Sequence, residues 1–97
     1  MEGGRIMKTM HTSTEQFLRK VGRKISEIRS QKGLTQFKLA ERAGVSTQLV
    51  QYWESGRNVT LKTLYSLAQH LNHPIEGFFQ EPKSLKAVRG RPKQKKK

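Results

Sequence analysis

Uncharged side chains that can form hydrogen bonds recur at helical spacing near the middle of the chain: Thr47, Gln48, Gln51, Tyr52 and Ser55. Their offsets place them on one side of a helix, away from Val50 and Trp53. Amide and hydroxyl groups both donate and accept hydrogen bonds. A helix face that only has to be solvated usually carries lysine and glutamate. This pattern therefore indicates a surface that recognises the hydrogen-bonding groups of another molecule.

Double-stranded DNA is a ligand that such a helix fits. The major groove admits an α-helix, and each base pair presents a distinct pattern of donors and acceptors there. A glutamine amide can pair with adenine through two hydrogen bonds, and a threonine methyl can pack on a thymine methyl. Tyr52 could instead contact a phosphate or be partly buried beside the first helix. We predict base contacts from four residues: Thr47, Gln48, Gln51 and Tyr52.

The charge of the chain also favours a polyanionic partner. The 97 residues carry a net charge of +13, and residues 80–97 hold eight basic residues and one acidic residue. Such a balance suits nucleic acid or an anionic membrane surface. There is no cysteine for a disulfide or a thiolate zinc site, and no apolar run as long as a signal sequence or membrane span. We therefore expect a soluble intracellular protein, and we expect double-stranded DNA rather than a membrane as its partner.

Capping residues and apolar periodicity predict an all-α fold, a compact bundle of five helices. Helix N-caps are expected at Ser13 (a capping box with Gln16), Thr35, Ser46 and Thr60. Gly44 should end the second helix, and Pro74 should precede a short fifth one. The predicted domain covers residues 13–80. It is flanked by a disordered segment, 1–12, and a flexible basic tail, 81–97.

Two features of the predicted helices allow more than one interpretation. The first helix carries a basic outer face, Arg19, Lys20, Arg23 and Lys24, which we interpret as a solvated surface; Gly22 weakens this helix. In the second helix, Phe37 stands where a polar residue is expected. Its ring could mark a surface for a protein partner, or it could fold onto a neighbour.

The segment from Val21 to Phe79 resembles the phage-repressor and Cro type of helix-turn-helix domain, also called the Xre family. The matching stretches are GLTQ at 33–36, LAERAGVS at 39–46, VQYWESGR at 50–57 and TLKTLYSLAQHLNHP at 60–74. The resemblance implies a lambda-repressor-like fold whose helix at 46–55 enters the major groove. It also implies base contacts at the positions of Thr47, Gln48 and Tyr52.

Phosphate contacts are expected around this helix. The resemblance implies that the Gln36 amide bonds the DNA backbone. Further candidates flank the two ends of the helix and the loop after it: Ser46, Ser55, Arg57, Asn58 and Lys62. Such contacts fix register and strength without reading sequence. For Arg57 and Lys62 the alternative is a solvated surface cation.

The resemblance implies two further structural features. Arg29 and Glu54 should form a salt bridge between the first helix and the end of the reading helix. Relatives bind as dimers to palindromic half-sites, so a homodimer is expected here. The predicted dimer interface is on the last helix: Ile75, Phe78 and Phe79.

The basic tail contains a short motif of its own, which includes Arg89, Gly90, Arg91 and Lys93. With Pro92 it resembles the core of an AT-hook, in which arginines lie along a narrow A·T-rich minor groove. A plain polycation would bind phosphates instead, and both interpretations stay open.

Catalytic and metal-binding patterns are not evident in the sequence. His70 and His73 lie three residues apart without a third ligand nearby, so we interpret them as surface residues and expect no metal. No nucleophile with a base and no paired carboxylates are apparent. We expect neither an enzyme nor a cofactor.

The predicted function is sequence-specific DNA binding by a transcriptional regulator, with repression as the expected mode. The expected location is the cytoplasm of a bacterium or phage host, in association with the nucleoid. Four alternatives remain: a nonspecific architectural binder driven by the tail, an antitoxin, a restriction–modification controller of the same fold, and a protein-interaction module that keeps the fold without binding DNA.

Overall fold

A computed structural model describes residues 13–83 and contains four α-helices and one 3-10 helix within them. The α-helices are α1 (Thr14–Gln31), α2 (Gln36–Ala43), α3 (Thr47–Glu54) and α4 (Leu61–Leu71). The all-helical architecture is confirmed. The count of five α-helices is not, because the last segment, Ile75–Phe79, is a 3-10 helix.

Each α-helix begins at the capping residue that the sequence predicts. The side chains of Ser13, Thr35, Ser46 and Thr60 each accept a hydrogen bond from a backbone amide of the first turn, and Ser13 forms a full capping box with Gln16. These bonds satisfy amides that have no partner within the helix. The helix starts are thus determined by local sequence.

The hydrogen bonding of the last segment is that of a 3-10 helix. Pro74 precedes it without an N–H group, and the amide of Gly77 donates to the Pro74 carbonyl at 3.0 Å, three residues back. Phe78 is then turned fully into the core. The prediction that Phe78 lies in a dimer interface is therefore wrong, because its ring has no exposed surface.

The core is formed by one apolar face from each helix. Its members are Val21, Ile25, Ile28, Leu39, Ala40, Val50, Trp53, Leu64, Leu67, Ala68, Leu71 and Phe78. Phe79 is half-buried and stacks on Phe17, with ring centroids 6.3 Å apart. Burying such side chains contributes about 1.5–3 kcal/mol each. The core thus fixes the positions of α2 and α3, on which the predicted site depends.

The backbone of α1 approaches the end of α3 closely at Gly22. A Cβ atom at this position would lie 2.8 Å from the Glu54 carbonyl oxygen and 2.9 Å from the Gly56 nitrogen. The glycine is therefore required by packing.

The outer face of α1 is not simply solvated. Lys24 is buried and donates to Glu27 Oε1 at 3.2 Å, so the interpretation of this lysine as a solvated residue is wrong. Lys20 pairs with Glu81 at 3.2 Å, and the Lys83 amide donates to Glu27 Oε2. Residues 81–83, assigned from the sequence to the tail, thus lie along α1, with Pro82 buried. Segments 1–12 and 84–97, with the tail motif Arg89, Gly90, Arg91 and Lys93, lie outside the described residues.

Candidate nucleic-acid interface

The turn between α2 and α3 orients the candidate reading helix. Gly44 adopts the left-handed conformation, φ 72°, which an L side chain rarely adopts. The Val45 amide then donates to the Ala40 carbonyl at 3.0 Å. Ser46 caps α3 by accepting from the Leu49 amide at 3.1 Å. Leu39, Ala40 and Val50 are buried between the helices, so the angle between α2 and α3 is fixed by both the turn and the core.

The exposed face of α3 presents the predicted base-contacting residues together. Gln48, Gln51 and Tyr52 are exposed and Thr47 is half-buried, whereas Val50 and Trp53 on the opposite side are buried. Neither Thr47 nor Gln48 uses its side chain in a hydrogen bond to any of residues 13–83. These groups are free to bond a ligand.

A buried ion pair anchors the end of α3. Arg29 Nε donates to Glu54 Oε2 at 2.6 Å, and Arg29 Nη2 donates to Glu54 Oε1 at 3.1 Å. Arg29 also donates to the Leu34 carbonyl at 2.7 Å and to Ser26 Oγ at 3.2 Å. Both side chains are almost completely buried, at 1% and 5% exposure. A pair so far from water depends on mutual hydrogen bonding to offset the loss of hydration.

Gln36 extends this pair to the exposed face. Its Nε2 donates to Glu54 Oε1 at 2.9 Å, and its Oε1 accepts from Gln51 Nε2 at 3.4 Å. An amide nitrogen has two hydrogens, so one N–H of Gln36 is left for another acceptor. The network thus runs from the interior, through Gln36, to a candidate base-contacting residue.

The predicted phosphate-contacting residues differ in what they can still donate. Ser55 donates its only hydroxyl hydrogen to the Tyr52 carbonyl at 2.8 Å, so in this arrangement it has none left for a phosphate. Ser46 only accepts through its hydroxyl oxygen and keeps its hydrogen. The Arg57 guanidinium lies over the Tyr52 ring, 5.8 Å from its centroid. Asn58 and Lys62 are exposed.

Three large hydrophobic residues outside α3 are exposed, one on α2 and two on α4. Phe37 on α2 is 58% exposed, so the interpretation that its ring folds onto a neighbour is wrong. On α4, Leu61 is 69% exposed and Tyr65, one turn later, is 57% exposed. Leu61 has the helical spacing of the core residues Leu64 and Ala68, so the expectation from spacing that Leu61 is buried is wrong; it lies in the first turn of α4, at the edge of the core.

One of the two histidines, His73, packs against the core. His73 lies against Phe78, with ring centroids 6.4 Å apart, and is half-buried. Burial lowers the pKa of His73, and the nearby charges of Lys32 and Lys24 lower it further. Within residues 13–83, no three His, Cys, Asp or Glu side chains are close enough together to hold a metal ion. None of the helices in this part of the chain is long and apolar enough to cross a membrane.

The sequence of this chain is similar to those of several known proteins. The chain is 40% identical over 62 residues to an uncharacterized transcriptional regulator in the ATPase CF(0) region of Rhodospirillum rubrum, covering 63% of this chain and 57% of that protein. It is 46% identical over 52 residues to the uncharacterized HTH-type transcriptional regulator y4dJ of Sinorhizobium fredii, covering 53% of this chain and 68% of that protein. The chain thus spans little more than half of the first relative.

Solved structures share the fold. The restriction-modification controller protein C.AhdI of Aeromonas hydrophila superposes with a TM-score of 0.60 at 36% identity, covering 64% of this chain and 96% of that one. The DNA-binding domain of BldD superposes with a TM-score of 0.63 at 26% identity, covering 67% of this chain and 96% of that one. The family HTH_3, described as helix-turn-helix, matches residues 25–78, more than half of the chain. The protein therefore belongs to the HTH_3 helix-turn-helix family.

Proposed function

We propose that the protein is a sequence-specific regulator of transcription that inserts α3 into the major groove of double-stranded DNA. The observation that carries this proposal is the exposed, uncharged face of α3, on which Gln48 has no internal partner among residues 13–83. The names of the relatives, which include transcriptional regulators and a restriction-modification controller, support the same function.

In this proposal, some side chains contact bases and others contact phosphates. Gln48 and Thr47 read bases at the start of α3, with Gln51 and Tyr52 one turn further on. Gln36 gives its remaining N–H to a phosphate, and Ser46, Arg57, Asn58 and Lys62 add backbone contacts. Occupation of the groove then represses transcription by excluding other proteins from the same DNA.

A second copy of the chain completes the proposed complex. Ile75 is half-buried and lines a shallow groove with Tyr65 and Pro74, and Leu61 lies one turn before Tyr65. We place the dimer contact on this surface, because Phe78 is buried and Phe79 is stacked on Phe17. A symmetric dimer requires a palindromic site whose halves lie about one helical turn apart.

Selection of bound sites from random DNA tests the proposal. The full chain should enrich one palindromic motif. Gln48→Ala should reduce the preference for that motif over random DNA by about 1–3 kcal/mol, the discrimination of one good base contact. Lys32→Ala, at the far end of α1, is the control and should leave the preference unchanged. Equal affinity for all sequences, unaffected by Gln48→Ala, would falsify the proposal in favour of an architectural binder.

The restriction-modification controller is the narrower form of this function that a specific observation favours. The likeness to C.AhdI, at 36% identity, covers almost the whole of that chain. A controller of this kind should have its selected motif upstream of its own gene and of a neighbouring nuclease gene. Binding of the protein to that upstream DNA in a footprinting experiment would support this form.

A further inference from the structure

The basic face of α1 is two surfaces with different roles. Lys20 and Lys24, one turn apart, are neutralised by Glu81 and Glu27 at 3.2 Å each. Arg19 and Arg23, also one turn apart, form the neighbouring stripe. Within residues 13–83, no acidic side chain pairs with either arginine. The charges of the two lysines are thus paired within the domain, whereas neither arginine is paired there; Arg19 is exposed and Arg23 is half-buried.

The arginine stripe lies close to the end of α3, because α1 and the segment after α3 come together at Gly22 and Gly56. A Cβ atom on Gly56 would lie 2.7 Å from Arg19 Cγ and 3.0 Å from Arg19 Cα, so the backbone after α3 touches the root of Arg19. Gly22, between the two arginines, touches the Glu54 carbonyl in the same way. Arg23 lies one turn after Arg19 on the same side of α1. The stripe therefore flanks the end of the reading helix.

Charge accumulates at this place in the free protein. Arg57 follows Gly56 directly and is exposed. The nearest carboxylate on α3, Glu54, is already paired with Arg29 at 2.6 Å. Like charges gathered on one surface repel, and a multivalent anion bound among them would relieve that repulsion. Guanidinium groups bind phosphate oxygens through two parallel hydrogen bonds, so phosphate is the anion that suits them best.

We propose that Arg19 and Arg23 of α1, together with Arg57, form an additional phosphate-binding surface that contacts the DNA strand beside the major groove entered by α3. This inference rests on the proposed DNA-binding function and adds contacts from α1 to those of α2, α3 and the following loop. The surface carries no base-reading group, so it strengthens binding to every sequence alike.

The salt dependence of binding measures these contacts directly. Affinity of the full chain for its selected site and for random DNA is measured across salt concentrations, for the wild type and for Arg19→Gln/Arg23→Gln. Removing one phosphate contact should lower the slope of log K against log salt by about 0.9, so the double variant should lose about 1.8. Both DNAs should be affected equally.

The control removes the same charge from other positions. Lys20→Gln/Lys32→Gln has the same net charge as the arginine variant, but Lys20 faces Glu81 and Lys32 donates to the Asn72 carbonyl at 3.3 Å. A slope that falls equally in both double variants would overturn the inference. Arg19→Lys keeps both the charge and the packed stem and should retain the wild-type slope. If the arginine double variant unfolds, Arg23→Gln alone replaces it, and its slope should fall by about 0.9.

The two proposals fail in different ways. If the wild type shows no sequence preference, the proposed function as a sequence-specific regulator is contradicted. Even then, a salt slope that falls further in the arginine variant than in the lysine variant would support the phosphate-binding surface. A wild type that keeps its preference, with no further fall in the arginine variant, contradicts only the phosphate surface.

Discussion

At the scale of single residues, one carboxylate connects three helices of the interface. Glu54 on α3 accepts from Arg29 on α1 at 2.6 Å and from Gln36 at the start of α2 at 2.9 Å. Arg29 is completely buried, so water does not reach its guanidinium group. Its charge is stabilised only by the Glu54 oxygens and its other hydrogen-bond partners. The position of Gln36, and through Gln36 that of Gln51, therefore depends on the Glu54 carboxylate, which is buried and does not lie on the exposed face of α3.

Glu54→Ala should be strongly destabilising. It leaves the Arg29 guanidinium buried without a counter-charge, for which a loss of about 3–5 kcal/mol in the free energy of unfolding is expected. In a domain of this size that is a large part of the total, which is about 5–15 kcal/mol for native proteins in general. Urea denaturation followed by circular dichroism measures the change, and Glu54→Gln, which keeps the acceptor oxygen, should lose less.

Glu41→Ala is the matched control for that substitution. Glu41 also pairs with a basic residue, Lys38, at 3.4 Å, but both side chains are more than half exposed. Exposed pairs contribute about 0.2–1 kcal/mol, so this variant should be nearly as stable as the wild type. If the two alanine variants lost the same stability, the pair at Glu54 would not have the role that its burial indicates.

The sequence revealed some of these contacts and not others. The pair between Arg29 and Glu54 followed from the resemblance to a known family. The hydrogen bond between Gln36 and Glu54 joins residues 18 positions apart, and no local pattern indicates it. The internal bond of Ser55 was likewise hidden, because a serine after a helix can donate either to its own backbone or to a ligand.

At the scale of elements, the packing of α1 on the end of α3 determines where α3, the proposed reading helix, lies. The two backbones come into close contact at Gly22 on α1 and at Gly56 just after α3, and neither of these residues has a side chain. Gly56 also needs its conformation, with φ 96°. Two helices can come this near only when no Cβ stands between their backbones, so the sequence requirement follows from the geometry.

Gly22→Ala should destabilise the domain, although alanine is the better helix former. Propensity alone would favour alanine by about 1 kcal/mol. The new methyl would meet backbone atoms at 2.8 and 2.9 Å, and backbone cannot turn aside as a side chain can. Overpacking of this kind typically costs about 1–3 kcal/mol, so a net loss is expected in thermal or urea unfolding. Affinity for DNA should also fall, since α3 must shift.

Ser30→Ala provides the comparison within the same helix. Ser30 is exposed near the end of α1, and a surface substitution of this kind should change stability by no more than about 0.5 kcal/mol. A Gly22→Ala protein more stable than the wild type would show that propensity outweighs the contact with α3.

Elements with local signals were predictable, and those that depend on tertiary packing were not. The four capping residues, Ser13, Thr35, Ser46 and Thr60, act within one helical turn, so their sequence pattern was sufficient. The burial of Lys24 depends on Glu27 and on residues 81–83, and the 3-10 form of Ile75–Phe79 depends on how Phe78 enters the core. Neither follows from helical periodicity alone.

At the scale of the whole molecule, the basic tail and the proposed base-reading face are separated along the chain. The face of α3 that carries Gln48 is uncharged, whereas residues 84–97 hold seven basic residues and no acidic one. Nonspecific affinity for DNA depends on the number of phosphates neutralised, and preference depends on base contacts. A protein divided in this way can change its affinity without changing its preferred sequence.

A variant that ends at Lys83 should therefore bind every DNA more weakly and keep its motif. Ending there retains Pro82 and the bonds of residues 81–83 to α1, while the net charge falls from +13 to +6 through removal of the seven basic residues. The slope of log K against log salt should decrease by about 0.9 for each phosphate that the tail neutralises in the full chain. The ratio of specific to random affinity should stay within a few-fold of the wild type.

Gly90→Ala in the full chain distinguishes the two ways in which the tail could act, since it changes no charge. If the tail inserts into the minor groove, the glycine between Arg89 and Arg91 would let the backbone reach the floor of the groove, and a methyl group there would hold the backbone away from it. Weaker binding confined to sites flanked by A·T-rich DNA would support minor-groove insertion. Unchanged binding to A·T-rich and G·C-rich flanks, together with weaker binding after truncation, would establish the tail as a polycation that contacts phosphates only.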